Sequence, residues 1–179
     1  MSNIIQLKNP RTEIYHEFKK GIDHLAFNWN YYPTTDINST PSMLSHTFLG
    51  RPKPETKYSM IYPDSGFDVA YNVLEDILNY NNIVHSCYYR ININRVFPQV
   101  GEEYQQTPIH VDHWNFDLQR EQFPHWNILV YLSDGDGRTV LENEVHIPEE
   151  DDVIIFPGVP HCHELPKTKM RTVLVATYI

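Results

Sequence analysis

The chain has 179 residues, 41% of them hydrophobic and 21% charged, which fits one folded domain with its own core and excludes a disordered chain. A formal net charge of −9 argues against a broad nucleic-acid-binding surface, because phosphate affinity comes from clustered Lys and Arg. The opening MSNIIQLKNPRTE lacks the apolar core of a signal peptide, and the longest apolar runs, such as Ile128–Leu132, are strand-sized. Two cysteines, Cys87 and Cys162, are too few for a disulfide framework, so the expectation is a cytoplasmic protein with free thiols and no membrane span.

Thr12–Lys20 has helical spacing, with Ile14, Tyr15 and Phe18 on one side, Thr12 placed as a cap and Gly21 as the stop. Residues 24–62 are aromatic and rich in proline and threonine, and read as short strands joined by long loops. The clearest helix is Phe67–Tyr80, where Ala70, Val73, Leu74, Ile77 and Leu78 recur at helical intervals and Asp64 or Ser65 can cap the start. After Asn82 the pattern turns to strands. In SCYYRININRVF, Cys87, Tyr89, Ile91 and Ile93 alternate with Tyr88, Arg90, Asn92 and Asn94, leaving one polar face. Further strands are expected at Ile109–Asp112, Trp126–Ser133, Arg138–Leu141, Asp152–Phe156, Cys162–Leu165 and Arg171–Tyr178. Turn chemistry separates them: Asp134-Gly-Asp-Gly137, the acidic Pro148–Asp151 and Pro157-Gly-Val-Pro160. Seven or so short strands at this spacing predict a sandwich or jelly roll with the helices packed outside, and a jelly roll leaves an open mouth between its sheets.

Three potential metal ligands, His110, Asp112 and His113, crowd into four positions of TPIHVDHWNFD. His110 and Asp112 stand two apart, so on one strand they share a side and can reach one ion. FPGVPHCHELP offers His161 and His163, again two apart, directly after a rigid turn. Two imidazoles and one carboxylate on one face of an ion, with three positions open, is the arrangement of non-haem iron(II) oxygenases. Arg171, ten residues beyond His161, heads an apolar strand, where a guanidinium is costly to bury unless an anion meets it.

These residues resemble the 2-oxoglutarate- and iron(II)-dependent oxygenases, in particular their prolyl-4-hydroxylase-like branch. The resemblance lies in HVD (His110–Asp112), NILVYLSDGDG with TVL (Asn127–Leu141), DDVIIFPGVPH (Asp151–His161) and RTVLVATY (Arg171–Tyr178), and covers about residues 83–179. It implies a mainly β fold with flanking helices, the double-stranded β-helix form of the jelly roll, as a single domain over 1–179. In that layout 1–82 supplies helices and loops packing on the barrel, and 83–179 supplies the barrel. It further implies that His110, Asp112 and His161 bind iron(II), that Arg171 meets the distal carboxylate of 2-oxoglutarate, and that Tyr131 adds a hydroxyl to it. Asn127 and Asn94, or Asn92, are weaker candidates for the same co-substrate. The implied reaction consumes O₂ and 2-oxoglutarate, hydroxylates a substrate C–H bond, and yields succinate and CO₂. Similar small enzymes are encoded by bacteriophages, and the Asn- and Tyr-rich composition suits that origin, with the host cytoplasm as the setting.

His161 is preferred to His163 because it directly follows the turn and its distance to Arg171 suits the family. His163 either supports the ligands from behind or faces the substrate. His113 points away from Asp112 if the strand continues. One departure is Val173, where the family often has a serine two residues after the arginine. Trp29, Tyr31, Tyr32, Tyr58, Tyr62, Arg95 and Trp114 either line an entrance or cover the outside of the barrel. The substrate expected first is a peptidyl proline or other protein residue, then a small molecule, with nucleic acid disfavoured by charge. The alternatives are a cupin-type metal enzyme, although HVD followed by HWNFD does not match a cupin's His-X-His, and a non-catalytic jelly-roll phage protein. Neither alternative has an evident use for Arg171.

Overall fold

The computed structural model describes residues 3–33, 42–52, 59–63, 66–99, 105–115, 120–121 and 123–179. These hold two helices, α1 (Glu13–Ile22) and α2 (Phe67–Tyr80). The strands are β1 (Ile5–Leu7), β2 (Asn30–Tyr32), β3 (Met43–Gly50), β4 (Met60–Ile61), β5 (Tyr88–Val96), β6 (Trp114–Asn115), β7 (Arg120–Glu121), β8 (Trp126–Tyr131), β9 (Thr139–Leu141), β10 (Glu144–His146), β11 (Val153–Pro157), β12 (His161–His163) and β13 (Arg171–Tyr178).

The major sheet runs β1-β11-β8-β13-β5-β3-β2, with β4 on β3, and the pairings are antiparallel. A minor sheet runs β10-β9-β12, and the segment before His110 lies beside β12 through the bridges Gln106↔Glu164 and His110↔His161. The strands of the major sheet explain their own apolar runs. Ile128, Val130, Ile155, Leu174 and Ala176 face a large core shared with Phe18, Leu74 and Leu78 of the helices. Their neighbours Leu129, Tyr131, Ile154, Phe156 and Val173 form a second core inside the roll. A strand buried on both faces reads as continuous hydrophobicity, which is why NILVYL and VIIF do not alternate.

β5 obeys the same parity with a different content. Ile91 and Ile93 join the helix-side core, which turns Arg90, Asn92 and Asn94 inward, toward the second sheet. The polar face of this strand looks into the roll.

The helices match expectation with corrected ends. α1 extends through Gly21 to Ile22, and the Thr12 hydroxyl donates to Asp76 on α2 at 2.8 Å instead of capping its own helix. Gly21 is compatible with the helix because an interior glycine costs only about 1 kcal/mol, and Ile22 gains a fully buried site. α2 starts after Gly66, whose φ of 75° suits a residue without a side chain; Asp64 and Ser65 lie outside the described residues. β3 is eight residues long and pairs with β5, a larger element than short strands in a loop-rich region suggest. Among the described residues no helix is long and apolar enough to cross a membrane.

Candidate metal centre

His110 and His161 are cross-strand partners, exchanging backbone bonds at 3.0 and 2.9 Å, so their rings lie side by side with centroids 4.5 Å apart. In each ring Nδ1 faces a backbone carbonyl, Pro108 at 3.0 Å and Val159 at 2.9 Å. A ring nitrogen aimed at a carbonyl oxygen carries the proton, which leaves Nε2 of both histidines with a free lone pair. The chain leaves the bridge at once: Asp112 and His113 form a turn, and His113 has φ of 55°. This turn carries Asp112 inward, with Oδ2 at 3.8 Å from His161 Nε2. Ligand atoms of His110, Asp112 and His161 all lie within 4.8 Å of one another. Two neutral nitrogens, one carboxylate oxygen and supported tautomers fit a divalent first-row metal such as iron(II).

The carboxylate is held from outside. Oδ1 of Asp112 accepts Arg51 Nη2 at 2.5 Å and Arg90 Nη1 at 2.9 Å, which leaves Oδ2 toward the histidines. Burial works to raise the Asp112 pKa, but Arg90 and Arg51 outweigh it and hold the group at about 2. Burial also pushes His161 below the usual histidine range, against the pull of Asp112, so the ring stays neutral near pH 7.

These groups open onto a cavity of about 340 Å³ between the sheets, walled by β3, β5, β8 and β13 on one side and by β9, β12 and residues 107–112 on the other. Arg171 lies at the same cavity and is 5% exposed. Its Nε donates to the Gly137 carbonyl and its Nη2 to Thr139 Oγ1, both at 3.1 Å, and it lies over the Tyr131 ring at 5.4 Å. Glu164 does not pair with it, because Glu164 binds Arg138 through both carboxylate oxygens. The Tyr131 hydroxyl meets Thr139 Oγ1 at 2.7 Å, so Thr139 joins the tyrosine to the arginine.

Asn94 lines the cavity. Its Oδ1 accepts both Ser45 Oγ and Asn92 Nδ2 at 2.8 Å, which leaves its amide nitrogen for the interior. Asn127 shares the inner face of β8 but is not among the cavity-lining residues, and it is 1% exposed with neither amide atom paired among the described residues. His163 lines the cavity; its buried Nε2 has no partner among the described residues, and burial, assisted by Arg171, keeps the ring neutral. His113 turns away, with Nε2 at 2.7 Å from Thr177 Oγ1.

Of the aromatic candidates, Trp29 packs under Arg95 and donates to the Ile22 carbonyl, on the outer side of the sheet. Tyr31, Tyr32 and Tyr62 are exposed, and Tyr58 lies outside the described residues. The sequence does not single out Thr139, Thr107, Arg51 or Arg90, all of which line the cavity. That Arg90 shares a face with Asn92 and Asn94, and Thr139 with Leu141, is readable from their strands, whereas nothing near Arg51 in the chain points to Asp112.

No protein-family model and no curated protein sequence matches this chain. Solved structures do. A 2OG-Fe(II) oxygenase family oxidoreductase from Burkholderia pseudomallei superposes with a TM-score of 0.63 at 14% identity, over 98% of this chain and 84% of that one. A prolyl-4-hydroxylase from Pseudomonas putida gives 0.56 at 14% identity, over 98% and 91%. The non-haem α-ketoglutarate-dependent epimerase SnoN of nogalamycin biosynthesis gives 0.58 at 10% identity, over 99% and 77%. At such identities the likeness is one of fold: the chain has the double-stranded β-helix of the 2OG-Fe(II) oxygenases, with a two-histidine, one-aspartate cluster at its mouth.

Proposed function

We propose that this protein is a 2-oxoglutarate- and iron(II)-dependent oxygenase that hydroxylates a C–H bond. The observation that carries the reading is one cavity holding both the His110–Asp112–His161 cluster and the buried guanidinium of Arg171. His110 and His161 would bind iron through Nε2 and Asp112 through Oδ2. Arg171 would grip the far carboxylate of 2-oxoglutarate, with Tyr131 and Thr139 fixing its plane and Asn94 and His163 offering further polar contacts. When bound, iron(II) and 2-oxoglutarate supply the activation of O₂, and the keto acid leaves as succinate and CO₂. The chain's own contribution is to hold ligands and co-substrate in register and keep water out of a cavity walled by Leu129 and Val175. Asp112 would occupy a coordination position, which favours hydroxylation over halogenation.

Prolyl hydroxylases among the structural neighbours support a peptidyl proline or other protein residue as substrate; the arginine pair on Asp112 supports a small molecule. The cytoplasm, with its reducing conditions, is consistent with the free Cys87 and Cys162. The reading is tested by anaerobic titration of the iron(II)-loaded protein with 2-oxoglutarate, following the visible metal-to-ligand charge-transfer band. A band that weakens in Arg171→Ala is expected. Iron binding without a band would favour the cupin-type alternative, and no iron binding would remove the enzyme assignment.

A further inference from the structure

Among the described residues three guanidinium groups line the cavity, those of Arg51, Arg90 and Arg171, against one carboxylate, that of Asp112. In the oxygenase reading, on which this inference rests, a divalent ion and a dianionic co-substrate cancel each other. Among the described residues two positive charges are then left unmatched. Arg171 has a partner in the co-substrate, so the surplus falls on Arg51 and Arg90. Both spend one N–H on the same oxygen, Asp112 Oδ1, and among the described residues neither has another hydrogen-bond partner. The Arg51 side chain is 47% exposed and Arg90 19%, so the pair spans from the opening to the interior beside the metal ligands. Buried charge left without a counter-charge is costly, and planar guanidinium forks favour oxyanions bidentately.

We propose that Arg51 and Arg90 form an anchor for an oxyanion of the primary substrate, which is a small carboxylate- or phosphate-bearing molecule hydroxylated at a carbon close to that group. An internal peptidyl proline has only neutral amides beside its ring and offers this anchor nothing. The cavity agrees: at about 340 Å³ it is small for a ligand pocket, and the co-substrate shares it.

The test uses the full chain loaded anaerobically with iron(II) and saturating 2-oxoglutarate. The probes are free amino acids and short carboxylic acids, each beside its primary amide, then phosphate monoesters of similar size, and an end-blocked proline peptide. The readouts are a shift of the charge-transfer band on probe binding and, in air, probe-dependent succinate release. An acid or phosphate ester that shifts the band while its neutral counterpart does not is the expected result, and the responding set tells carboxylate from phosphate. Arg51→Gln should weaken the acid's affinity about tenfold or more, by a larger factor than it weakens 2-oxoglutarate affinity, with part recovered in Arg51→Lys. The proposal is overturned if the blocked peptide or the amides act equally well, or if no anion responds. It is also overturned if Arg51→Gln weakens acid and 2-oxoglutarate affinity by the same factor, because the pair then serves only to position Asp112. Failure of the wild-type protein to form the band in the first place defeats the oxygenase reading, a result separate from these.

Discussion

Around Arg171 the site has no spare room. A Cβ at Gly137 would meet the Glu164 carbonyl at 2.5 Å and Arg171 Cδ at 2.9 Å, while the Gly137 carbonyl itself accepts Arg171 Nε. Gly137→Ala therefore displaces the guanidinium, an overpacking worth about 1–3 kcal/mol. The expected outcome is a fall of about tenfold in 2-oxoglutarate affinity with iron binding retained, read from the charge-transfer titration. Asp112→Ala acts on the other half of the site. It removes the carboxylate of the cluster and, among the described residues, leaves Arg51 and Arg90 with no counter-charge, so iron(II) affinity should collapse and hydroxylation stop; hydroxylation at the wild-type rate would disprove the ligand assignment. In both cases the residue type could be read from the sequence, whereas the neighbours that give it consequence could not.

At the scale of elements, α1 is fastened to the turn before β11 by two carboxylates, Glu150, which meets Lys19 Nζ at 2.5 Å, and Asp151. Asp151 Oδ1 accepts the Tyr15 hydroxyl at 2.6 Å and Lys19 Nζ at 2.7 Å, and the residue sits at φ of 71°, a conformation that Asp tolerates better than most residues. Burial works to raise its pKa, but the bonds from Lys19 and Tyr15 prevail and hold it below the usual carboxylate range. The sign follows. A depressed native pKa adds stability above the unfolded-state value of about 4, and that stability is lost as pH falls through the native value. Asp151→Asn should cost about 1–2 kcal/mol at pH 7, since the group is partly exposed, and should flatten the loss of stability on acidification in urea-unfolding curves. An unchanged pH dependence would show that other carboxylates govern it. The helices themselves were plain in the sequence because apolar positions recur at their period; the fastening was not, because Asp151 lies 136 residues from Tyr15.

For the whole molecule, the N-terminal part contributes more than a cover. β3 extends the major sheet from β5, β1 pairs with β11, and α1 and α2 close the larger core. We propose from this that residues 1–179 unfold as one cooperative unit, giving a single thermal transition with coincident loss of secondary and tertiary signals. Two transitions would restrict the cooperative unit to part of the chain. Leu74, fully buried on α2 in the core shared with the sheet, should cost about 2–5 kcal/mol as Leu74→Ala and lower stability without altering 2-oxoglutarate affinity.

The sequence by itself determined the fold class, most strand positions and the chemical identity of the proposed ligands. Unbroken apolar runs report strands buried on both faces, and His-X-Asp followed by a histidine and an arginine reports residue types that suit one chemistry. Tertiary structure alone decided that the polar face of β5 looks inward, that Asn127 stays off the cavity, and that Arg51 reaches Asp112 from 61 residues away. The physical reason is the reach of each signal. Periodicity is local and says only that a side chain is on one face or the other, whereas charge pairing inside a roll is fixed by strands that meet only after folding.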